Sequence, residues 1–281
     1  MRVLVTGGGG QLGLELAELL PGRGHEATVL SRHELDIADV VGVEEALVGY
    51  APEVVVNAAA FTNVDLCETE TGAAYAANAL GPANLARACE RVGASILHVS
   101  TNYVFDGGQE RPYEPFDAAR PVSAYGRTKL AGEELVMRLT NRWTVVRTAG
   151  VYGRGRNFVR TMLRVAAERD VLKVKDDEFV SPTYARDLAG GIIQIIEARE
   201  YGLYHLTNAG SCSWYEFTRE IFRLKGVETE LVPIPTSEYP LPAARPANGV
   251  LSSVGSPVLR PWREALADYL EREAATAAVR G

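Results

Sequence analysis

The sequence predicts an α/β fold, a doubly wound parallel sheet with a smaller C-terminal lobe. Short apolar segments alternate with amphipathic helical segments through the first 150 residues, which is typical of consecutive βαβ units. Beyond residue 150 this regularity weakens, and prolines accumulate between Pro233 and Pro261. We therefore expect one domain at residues 1–150 and a lobe at residues 151–281, with some segments of the lobe returning to the first domain.

Five strands and four helices are predicted in the first domain. The strands are RVLVTG, HEATVLS, PEVVVNAAA, SILHVST and WTVVRTA. PEVVVNAAA is almost continuously apolar, as expected for a strand covered on both faces of a sheet. The helices are QLGLELAELLPGRG, VVGVEEALVGYA, AAYAANALGPANLARACERVG and YGRTKLAGEELVMRL. Three further helices are clear in the lobe, namely FVRTMLRVAAERD, ARDLAGGIIQIIEA and WYEFTREIFRLKG.

Composition and charge argue against several classes of protein. The hydrophobic content of 47% and the charged content of 23% are ordinary for a globular chain. The net charge of −7 gives no support to binding of nucleic acid or of an anionic membrane, so neither is expected as a partner. No apolar run approaches the ~20 residues that span a bilayer, and the N-terminus begins as a strand and not as a signal peptide. The scattered cysteines Cys67, Cys89 and Cys212 indicate free thiols in a cytoplasmic protein.

The stretch VTGGGGQLG lies between the first strand and the first helix. Its glycines at positions 7, 10 and 13 have the spacing of a turn that lets the backbone approach a pyrophosphate. The helix that follows would offer N–H donors and a partial positive charge to the phosphates. Four consecutive glycines could also form a plain loop, but their position between strand and helix favours dinucleotide binding.

The end of the second strand bears on the choice of dinucleotide. The chain reads LSRHELD there, so Ser31 and Arg32 stand where a carboxylate would hold the adenosine ribose of NAD. An arginine at this point could bind a 2′-phosphate, which favours NADPH over NADH. A solvated surface arginine explains the residue equally well, so NADH remains an alternative.

Tyr125 precedes Lys129 by four residues in the helix that begins SAYGRTKLAGEE. Residues at this spacing lie on one helix face, so the phenol and the ammonium would be neighbours. A nearby cation lowers the pKa of a phenol and brings it closer to acid/base chemistry. The pair could thus pass a proton to a developing alkoxide, although this spacing is also frequent on ordinary amphipathic helices.

Six motifs occur together in order, and they are TGGGGQLG, NAAAFTNVD, HVSTNYVFDG, YGRTKLAGE, NFVRTML and RPAN. With them the sequence resembles the extended short-chain dehydrogenase/reductases over nearly its whole length, and within these the dTDP-4-dehydrorhamnose reductase family. VNAAAFTNVD and STNYVFDG are the motifs most specific to that family. The resemblance implies a Rossmann-type sheet with a substrate-binding lobe. It also implies reduction of the 4-keto group of a dTDP-linked keto-deoxysugar by NADPH or NADH, the last step towards dTDP-L-rhamnose. A homodimer is a possible assembly for this chain.

The resemblance also assigns roles to individual residues. Tyr125 would protonate the new alkoxide, Lys129 would hold the nicotinamide ribose, and Thr101 would hydrogen-bond the keto oxygen. The other positions implied to bind the cofactor are Gly7, Gly10, Gln11, Leu12, Ser31, Arg32, Asp36, Ile37, Ala58, Ala59, Ala60, Thr62 and Val99. Those implied to bind the substrate are Val64, Thr101, Asn102, Tyr103, Gly150 and Arg245. Arg245 is interpreted as a partner of the diphosphate, with an ordinary surface arginine as the alternative.

The sequence departs from the family pattern near the sugar. Asn102 stands where the family usually has an aspartate, and Gly150 stands where it commonly has a tryptophan. DDEFVSPT replaces a segment of the form Asp-Gln-x-Gly-x-Pro-Thr. Some family members hold magnesium between subunits through carboxylates, but Arg186 falls where one such acid would be wanted beside Glu15. No required metal is therefore expected.

None of the four histidines has a metal-binding spacing, and His98 is predicted to be a packed core residue. A sugar-nucleotide dehydratase or epimerase is the nearest alternative enzyme, although the residues after Thr101 lack the acid and base that dehydration needs. A reductase of another nucleotide-linked keto-deoxysugar fits the same motifs. A non-catalytic, cofactor-binding regulatory subunit resembling the methionine adenosyltransferase β subunit is the alternative from a different class.

Overall fold

The structure is a computed structural model that describes residues 1–280. Over these residues the chain forms thirteen strands, numbered in chain order. They are β1 (Arg2–Thr6), β2 (Glu26–Leu30), β3 (Val54–Asn57), β4 (Ser95–Thr101), β5 (Trp143–Thr148), β6 (Val151–Tyr152), β7 (Val171–Lys175), β8 (Phe179–Val180), β9 (Thr183–Tyr184), β10 (Gly202–His205), β11 (Cys212–Ser213), β12 (Glu230–Ile234) and β13 (Asn248–Gly249).

Ten α-helices alternate with these strands in the described residues. They are α1 (Gln11–Gly22), α2 (Val40–Tyr50), α3 (Leu66–Thr69), α4 (Thr71–Tyr75), α5 (Gly81–Val92), α6 (Ala124–Leu139), α7 (Phe158–Ala166), α8 (Ala185–Ala198), α9 (Trp214–Lys225) and α10 (Trp262–Arg280). A π-helical turn, Ala76–Leu80, joins α4 to α5, so the single helix predicted there is divided. None of the described helices is long and apolar enough to cross a lipid bilayer.

The central sheet has six parallel strands in the order β2–β1–β3–β4–β5–β10, which confirms the predicted fold class. β2 and β3 lie on opposite sides of β1, so the direction of winding reverses there. Ligands of such sheets bind beyond the carboxyl ends of the strands at this reversal. β10 comes from beyond residue 150 and pairs with β5, while the predicted boundary at residue 150 itself stays a prediction.

Both faces of the sheet are covered by helices, because alternate residues of each strand point to opposite sides. On one face Val3 and Val5 of β1 pack with apolar residues of α1 and α8, among them Leu16 and Ile192. On the other face Leu4 packs with residues of α2, α5 and α6. Replacing one such buried leucine with alanine would cost about 2–5 kcal/mol of unfolding free energy.

The lobe has a separate aromatic core. Tyr152, Tyr184, Phe217, Trp262 and Tyr269 are buried together there. Three small sheets surround this core, formed by β7 with β12, β8 with β11 and β13, and β6 with β9. The lobe thereby brings distant segments of the chain to one side of the central sheet.

Candidate active site

A cleft of about 670 Å³ lies at the carboxyl ends of the parallel strands. Its walls come from the loops after β1, β2, β3, β4 and β5 and from the start of α6. It brings together nineteen of the predicted site residues, namely Gly7, Gly10, Gln11, Leu12, Arg32, Asp36, Ile37, Ala58, Ala59, Ala60, Thr62, Val64, Val99, Thr101, Asn102, Tyr103, Tyr125, Lys129 and Gly150. Ser31 and Arg245 do not line it.

The glycine-rich turn is built by close approaches of the backbone. Gly7 has a φ of +76°, and a Cβ added to it would lie 2.6 Å from the backbone of Ala58 after β3. A Cβ on Gly13 would lie 2.4 Å from the carbonyl oxygen of Gly7. The first position needs a left-handed backbone and the second lets α1 pack tightly on the turn, so both require glycine.

The first turn of α1 fits the phosphates of a dinucleotide. Gly10 is its N-cap and has no side chain to cap the helix, and no acidic residue lies in the first turn of this described segment. The N–H of Leu14 is the first to bond within the helix, to the carbonyl of Gly10 at 3.0 Å. The N–H groups of Gln11, Leu12 and Gly13 lie before this bond and have no partner within the helix, so together with the helix dipole they can bind an anion.

Unpartnered polar atoms also point to a polar ligand. Among the described residues, Gln11 Oε1, Ser100 Oγ and Thr148 Oγ1 are buried without a hydrogen-bond partner, and all three residues line the cleft. Buried polar groups normally find a partner, because leaving one unpaired costs about 1–3 kcal/mol. A bound cofactor or substrate would supply such partners.

Ser31 and Arg32, the two residues predicted to bind the adenosine ribose or its 2′-phosphate, differ in their surroundings. The backbone N–H and the hydroxyl of Ser31 both donate to Glu34 Oε2, at 2.8 and 2.7 Å. Arg32 is exposed at the cleft and approaches Asp36 Oδ2 at 3.5 Å. Arg32 is thus free to turn towards a ligand, whereas the Ser31 hydroxyl is already occupied.

Tyr125 is fixed by the start of α6. The N-cap Ser123 accepts a hydrogen bond from the N–H of Gly126 at 3.2 Å, which is a standard helix start. A Cβ on Gly126 would lie 2.1 Å from the carbonyl oxygen of Tyr103, so α6 is pressed against the segment that follows β4. The rings of Tyr103 and Tyr125 meet edge to face with centroids 5.4 Å apart. Tyr125 thereby lies beside Thr101, the last residue of β4.

The predicted lowering of the tyrosine pKa is not found in this structure. Burial raises the pKa of Tyr125, and a hydrogen bond from the Thr101 hydroxyl only partly opposes this rise. The cause is that the phenolate would lose its solvation in the buried position. A phenol with a raised pKa is fully protonated at neutral pH, which is the state that a proton donor needs.

Lys129 lies almost completely buried one helical turn after Tyr125, with 1% of its surface exposed. Its Nζ donates to the carbonyl oxygen of Val99 at 2.7 Å. Burial lowers the pKa of Lys129 to about 8, although Glu133 favours the charged form. An ammonium in such surroundings is rare unless it is functional or paired with a carboxylate.

On the substrate side, Asn102 has a role that an aspartate could not fill. Its amide Nδ2 donates to the carbonyl oxygen of Gly249 at 3.1 Å, and its Oδ1 accepts from the Thr101 hydroxyl at 3.3 Å. A carboxylate has no hydrogen to donate at neutral pH, so it could not make the first of these bonds. The amide therefore links β4 to β13.

Gly150 and Val180 together explain another departure from the family pattern. Gly150 has a φ of +53°, and a Cβ on it would lie 2.9 Å from Cγ2 of Val180. The valine thus occupies space beside the glycine, so a larger residue at position 150 would need both a new backbone conformation and a smaller neighbour.

Arg245 is engaged by a carboxylate and does not reach the cleft surface. Its Nη1 and Nη2 donate to Asp65 Oδ1 and Oδ2 at 3.1 and 2.9 Å, and Nη1 also donates to the carbonyl of Ala243. Arg245 lowers the pKa of Asp65. This bidentate pair joins the loop around residue 245 to the segment before α3.

A second ion pair lies in the segment DDEFVSPT and the strand before it. Lys175 Nζ donates to Glu178 Oε1 at 2.6 Å, and both side chains are almost fully buried. The hydroxyl of Thr236 donates to the same carboxylate oxygen at 3.0 Å. The altered segment therefore supplies a buried, hydrogen-bonded ion pair that contacts Thr236.

Glu15, the residue considered for magnesium, is held by two arginines. Arg154 Nε donates to Glu15 Oε1 at 2.8 Å, and Arg186 Nη1 donates to Glu15 Oε2 at 2.9 Å. Both arginines also contact Glu18. No group of potential ligands for a metal ion occurs in the part of the chain that the structure describes.

Sequence reasoning missed several residues that line the cleft. The informative ones are Ser100, Thr148, Ala149, Arg154 and Arg156. The first three lie at the carboxyl ends of β4 and β5, where side chains of a parallel sheet meet ligands, so the strand predictions could have identified them. The two arginines lie in the run GRGRN, and no local pattern marks this run as part of the site.

The chain matches the RmlD substrate-binding-domain family over residues 1–275. A curated relative is the spore coat polysaccharide biosynthesis protein SpsK of Bacillus subtilis, which is 44% identical over 96% of this chain and 97% of its own length. A dTDP-4-dehydrorhamnose reductase of Mycolicibacterium smegmatis is 43% identical over 95% of this chain and 84% of its own length.

Two solved structures are closely similar to this fold. A dTDP-4-dehydrorhamnose reductase of Clostridium acetobutylicum superposes with a TM-score of 0.96 at 42% identity, covering 98% of this chain and 100% of the other. A dTDP-4-dehydrorhamnose reductase of Bacillus anthracis, crystallised in complex with NADP, superposes with a TM-score of 0.93 at 36% identity, covering 96% and 99%.

Proposed function

This chain belongs to the RmlD substrate-binding-domain family, and from that membership we propose that it reduces the 4-keto group of dTDP-4-dehydro-6-deoxy-L-mannose to give dTDP-L-rhamnose. The proposed hydride donor is NADPH, as in nucleotide-sugar biosynthesis by related reductases. The observation that carries the proposal is the meeting of Thr101, Tyr125 and Lys129 in one cleft with the glycine-rich turn. A reductase needs a proton donor beside its dinucleotide site, and this cleft offers one.

The glycine-rich turn and the free N–H groups of α1 would hold the cofactor's pyrophosphate. Arg32 is the residue we propose for the adenosine 2′-phosphate, because it is an exposed cation that lines the cleft after β2. The NADP bound by the Bacillus anthracis relative supports the same preference. NADH would leave Arg32 without this partner, so we expect weaker binding of NADH.

Tyr125 acts as the general acid in this proposal. Its phenolic proton passes to the substrate oxygen as the carbonyl carbon is reduced, which leaves a phenolate. Thr101 would turn its hydroxyl hydrogen from Asn102 Oδ1 to the same substrate oxygen and so orient the carbonyl. Lys129 in its ammonium form stabilises the negative charge that develops on Tyr125, which helps a phenol of raised pKa release its proton. Bound NADPH supplies the hydride.

The substrate side is proposed to position the sugar nucleotide through Val64, Asn102, Tyr103 and Gly150. Arg245 is not proposed to bind the diphosphate directly, because Asp65 occupies its guanidinium. We propose that it holds the surrounding loop in place for the substrate. Asn102 and Gly150 with its neighbour Val180 change the substrate side from the family pattern, so a reductase of another nucleotide-linked keto-deoxysugar is the second candidate.

We further propose a cytoplasmic enzyme without a nucleic-acid or membrane partner. The net charge of −7 and the three buried free cysteines support this assignment. A homodimer stays a prediction from the resemblance.

The test is turnover of dTDP-4-keto-L-rhamnose with NADPH, measured as the loss of absorbance of the reduced nicotinamide. A set of dTDP- and UDP-linked keto sugars and a parallel series with NADH would define both specificities. Turnover with dTDP-4-keto-L-rhamnose above that with the other sugars supports the proposal. Saturable NADPH binding without turnover of any sugar would instead favour the non-catalytic regulatory subunit.

A further inference from the structure

A row of buried polar side chains leads from the central sheet to Lys129. The Thr6 hydroxyl donates to Asn57 Oδ1 at 2.7 Å, and Asn57 Nδ2 lies 2.9 Å from His98 Nδ1. His98 Nε2 in turn lies 3.3 Å from Lys129 Nζ. Thr6, Asn57 and His98 are completely buried on three adjacent strands, β1, β3 and β4. Each member of this row supplies a hydrogen-bond partner to the next, as buried polar groups require.

The surroundings of Asn57 determine which ring nitrogen of His98 carries the proton. Asn57 Oδ1 also accepts from the backbone N–H of Ala59 at 3.1 Å, which identifies this atom as the oxygen. The amide NH₂ group therefore faces His98 and donates to Nδ1. Burial and the nearby Lys129 lower the pKa of His98 well below its ordinary value, so the ring is neutral. Its single proton must then lie on Nε2, which points at the Lys129 amine.

We propose that His98 is a positioning residue that controls the protonation of Lys129: Asn57 fixes the His98 tautomer, and the Nε2–H group holds the uncharged Lys129 amine beside the Val99 carbonyl. This contact disfavours the ammonium form, so it sets the upper limit of the pH range in which the proposed reaction has its ammonium. An uncharged amine can accept from Nε2–H while donating to Val99. An ammonium has no lone pair, so its hydrogens would face the Nε2 hydrogen. The proposed function gives this arrangement its catalytic meaning, but the hydrogen-bond pattern does not depend on it.

The other ionisable groups near Lys129 do not account for a destabilised ammonium. Glu133, one turn later on α6, favours the ammonium, but its carboxylate accepts three contacts from Arg147 of β5, at 3.0, 3.2 and 2.6 Å. This pair is almost fully buried, and the Glu133 carboxylate is directed at the Arg147 guanidinium. Tyr125, one turn earlier, is neutral because burial raises its pKa. Burial is the first cause of the lowered pKa of Lys129, and the Nε2–H group of His98 on β4 adds to it through its contact at 3.3 Å.

Two substitutions separate positioning from simple packing. Asn57→Asp keeps the size of the side chain and its acceptor for Thr6 and Ala59, but it presents an acceptor to His98 Nδ1. The imidazole proton should move to Nδ1, which turns a lone pair on Nε2 towards Lys129 and favours the ammonium. His98→Asn keeps a group near Nδ1 and removes Nε2 entirely. Both variants should raise the pKa of Lys129 by about one pH unit.

The experiment uses cofactor-free protein labelled with ¹⁵N-histidine and ¹³C-lysine. The sequence has four histidines (His25, His33, His98 and His205) and four lysines (Lys129, Lys173, Lys175 and Lys225), so NMR spectra can be assigned by single substitutions. Nitrogen shifts should show an unprotonated Nδ1 on His98 in the wild type and a protonated Nδ1 in Asn57→Asp. The ¹³Cε signal of Lys129 should titrate near pH 8, and about one unit higher in both variants.

His205→Asn is the matched control. His205 is also completely buried in the central sheet, but its Nδ1 lies 3.0 Å from the Tyr113 carbonyl oxygen. That variant should leave the Lys129 titration unchanged. Protonated Nδ1 in wild-type His98 would overturn the proposal. So would an unchanged Lys129 titration in His98→Asn, which also decides the matter if Asn57→Asp does not fold.

Turnover provides an independent check. With dTDP-4-keto-L-rhamnose, kcat should fall as the pH rises through about 8, because the ammonium of Lys129 is lost, and this fall should move upwards in the two variants with little change in KM. An unmoved fall in kcat would contradict the positioning role. If no sugar is turned over, the proposed function fails, and the NMR titration still decides the state of His98 and Lys129.

Discussion

The two sides of the cleft treat buried charge differently. At the tyrosine–lysine site (Thr101, Tyr125 and Lys129), Lys129 has no carboxylate within ion-pair distance among the described residues, and its pKa is lowered to about 8. On the substrate side, Arg245 is paired with Asp65 at 2.9 Å and Lys175 with Glu178 at 2.6 Å. A buried cation without a carboxylate can lose its proton near neutral pH, whereas an ion pair holds two side chains against each other. The first arrangement suits proton chemistry and the second suits the fixing of loops.

Tyr125→Phe tests the tyrosine–lysine site and has the largest expected effect. The ring keeps its place against Tyr103, but the phenolic proton is lost, so kcat should fall by roughly a hundredfold or more. The dissociation constant of NADPH, measured by fluorescence titration, should stay nearly unchanged. Full activity in this variant would remove Tyr125 from the mechanism.

Asp65→Asn tests the substrate side and should have a smaller effect. The amide cannot form the bidentate ion pair, so the loop around Arg245 should loosen, and KM for the sugar nucleotide should rise roughly three- to tenfold with kcat little changed. Steady-state kinetics at saturating NADPH measure both constants.

Glu197→Gln is the control for that substitution. Glu197 also pairs with an arginine, Arg23, but at the opposite end of the sheet, so KM should not change. A fall in kcat with unchanged KM in Asp65→Asn would show that the two sides of the cleft are not divided as described.

The smallest expected effect concerns stability and extends the comparison to His205, a buried base that does not line the cleft. Burial lowers the pKa of His205 to about 4, while the unfolded chain has the ordinary value of 6.5. As pH falls from 6.5 towards 4, the unfolded state binds a proton that the folded state does not, so His205 makes the protein less stable. Urea unfolding at pH 7 and pH 4.5 should show wild type losing roughly 2 kcal/mol more than His205→Asn. Equal losses would mean that His205 is charged inside the fold.

The sequence was sufficient to predict the parts of the site that follow regular local patterns. The glycine turn at Gly7, the strand ends at Ala58 and Thr101, and the helix face of Tyr125 each depend on spacing within about ten residues. Because parallel strands end at one edge of a sheet, these local predictions also placed the residues near one another. The sequence therefore predicted both the parallel sheet and the meeting of these residues in one cleft.

Other features depend on contacts between distant residues. Asp65 and Arg245 are 180 positions apart. No local pattern could therefore show that Arg245, predicted to bind the diphosphate, instead pairs with the Asp65 carboxylate. Asn57 and His98 are 41 positions apart, and His98 was predicted only as a packed residue. The pKa of Tyr125 was predicted in the wrong direction, because spacing shows the neighbouring lysine but not the loss of water around the phenol.

β10 pairs with the edge of β5, which affects how the protein can be truncated. A fragment ending near residue 150 would leave the edge of β5 open to pairing with other molecules. It would also lose α8, whose Leu188, Ile192 and Ile195 cover one face of the sheet. Such a fragment should aggregate, so recombination with related reductases is better made by exchanging surface loops than by joining halves.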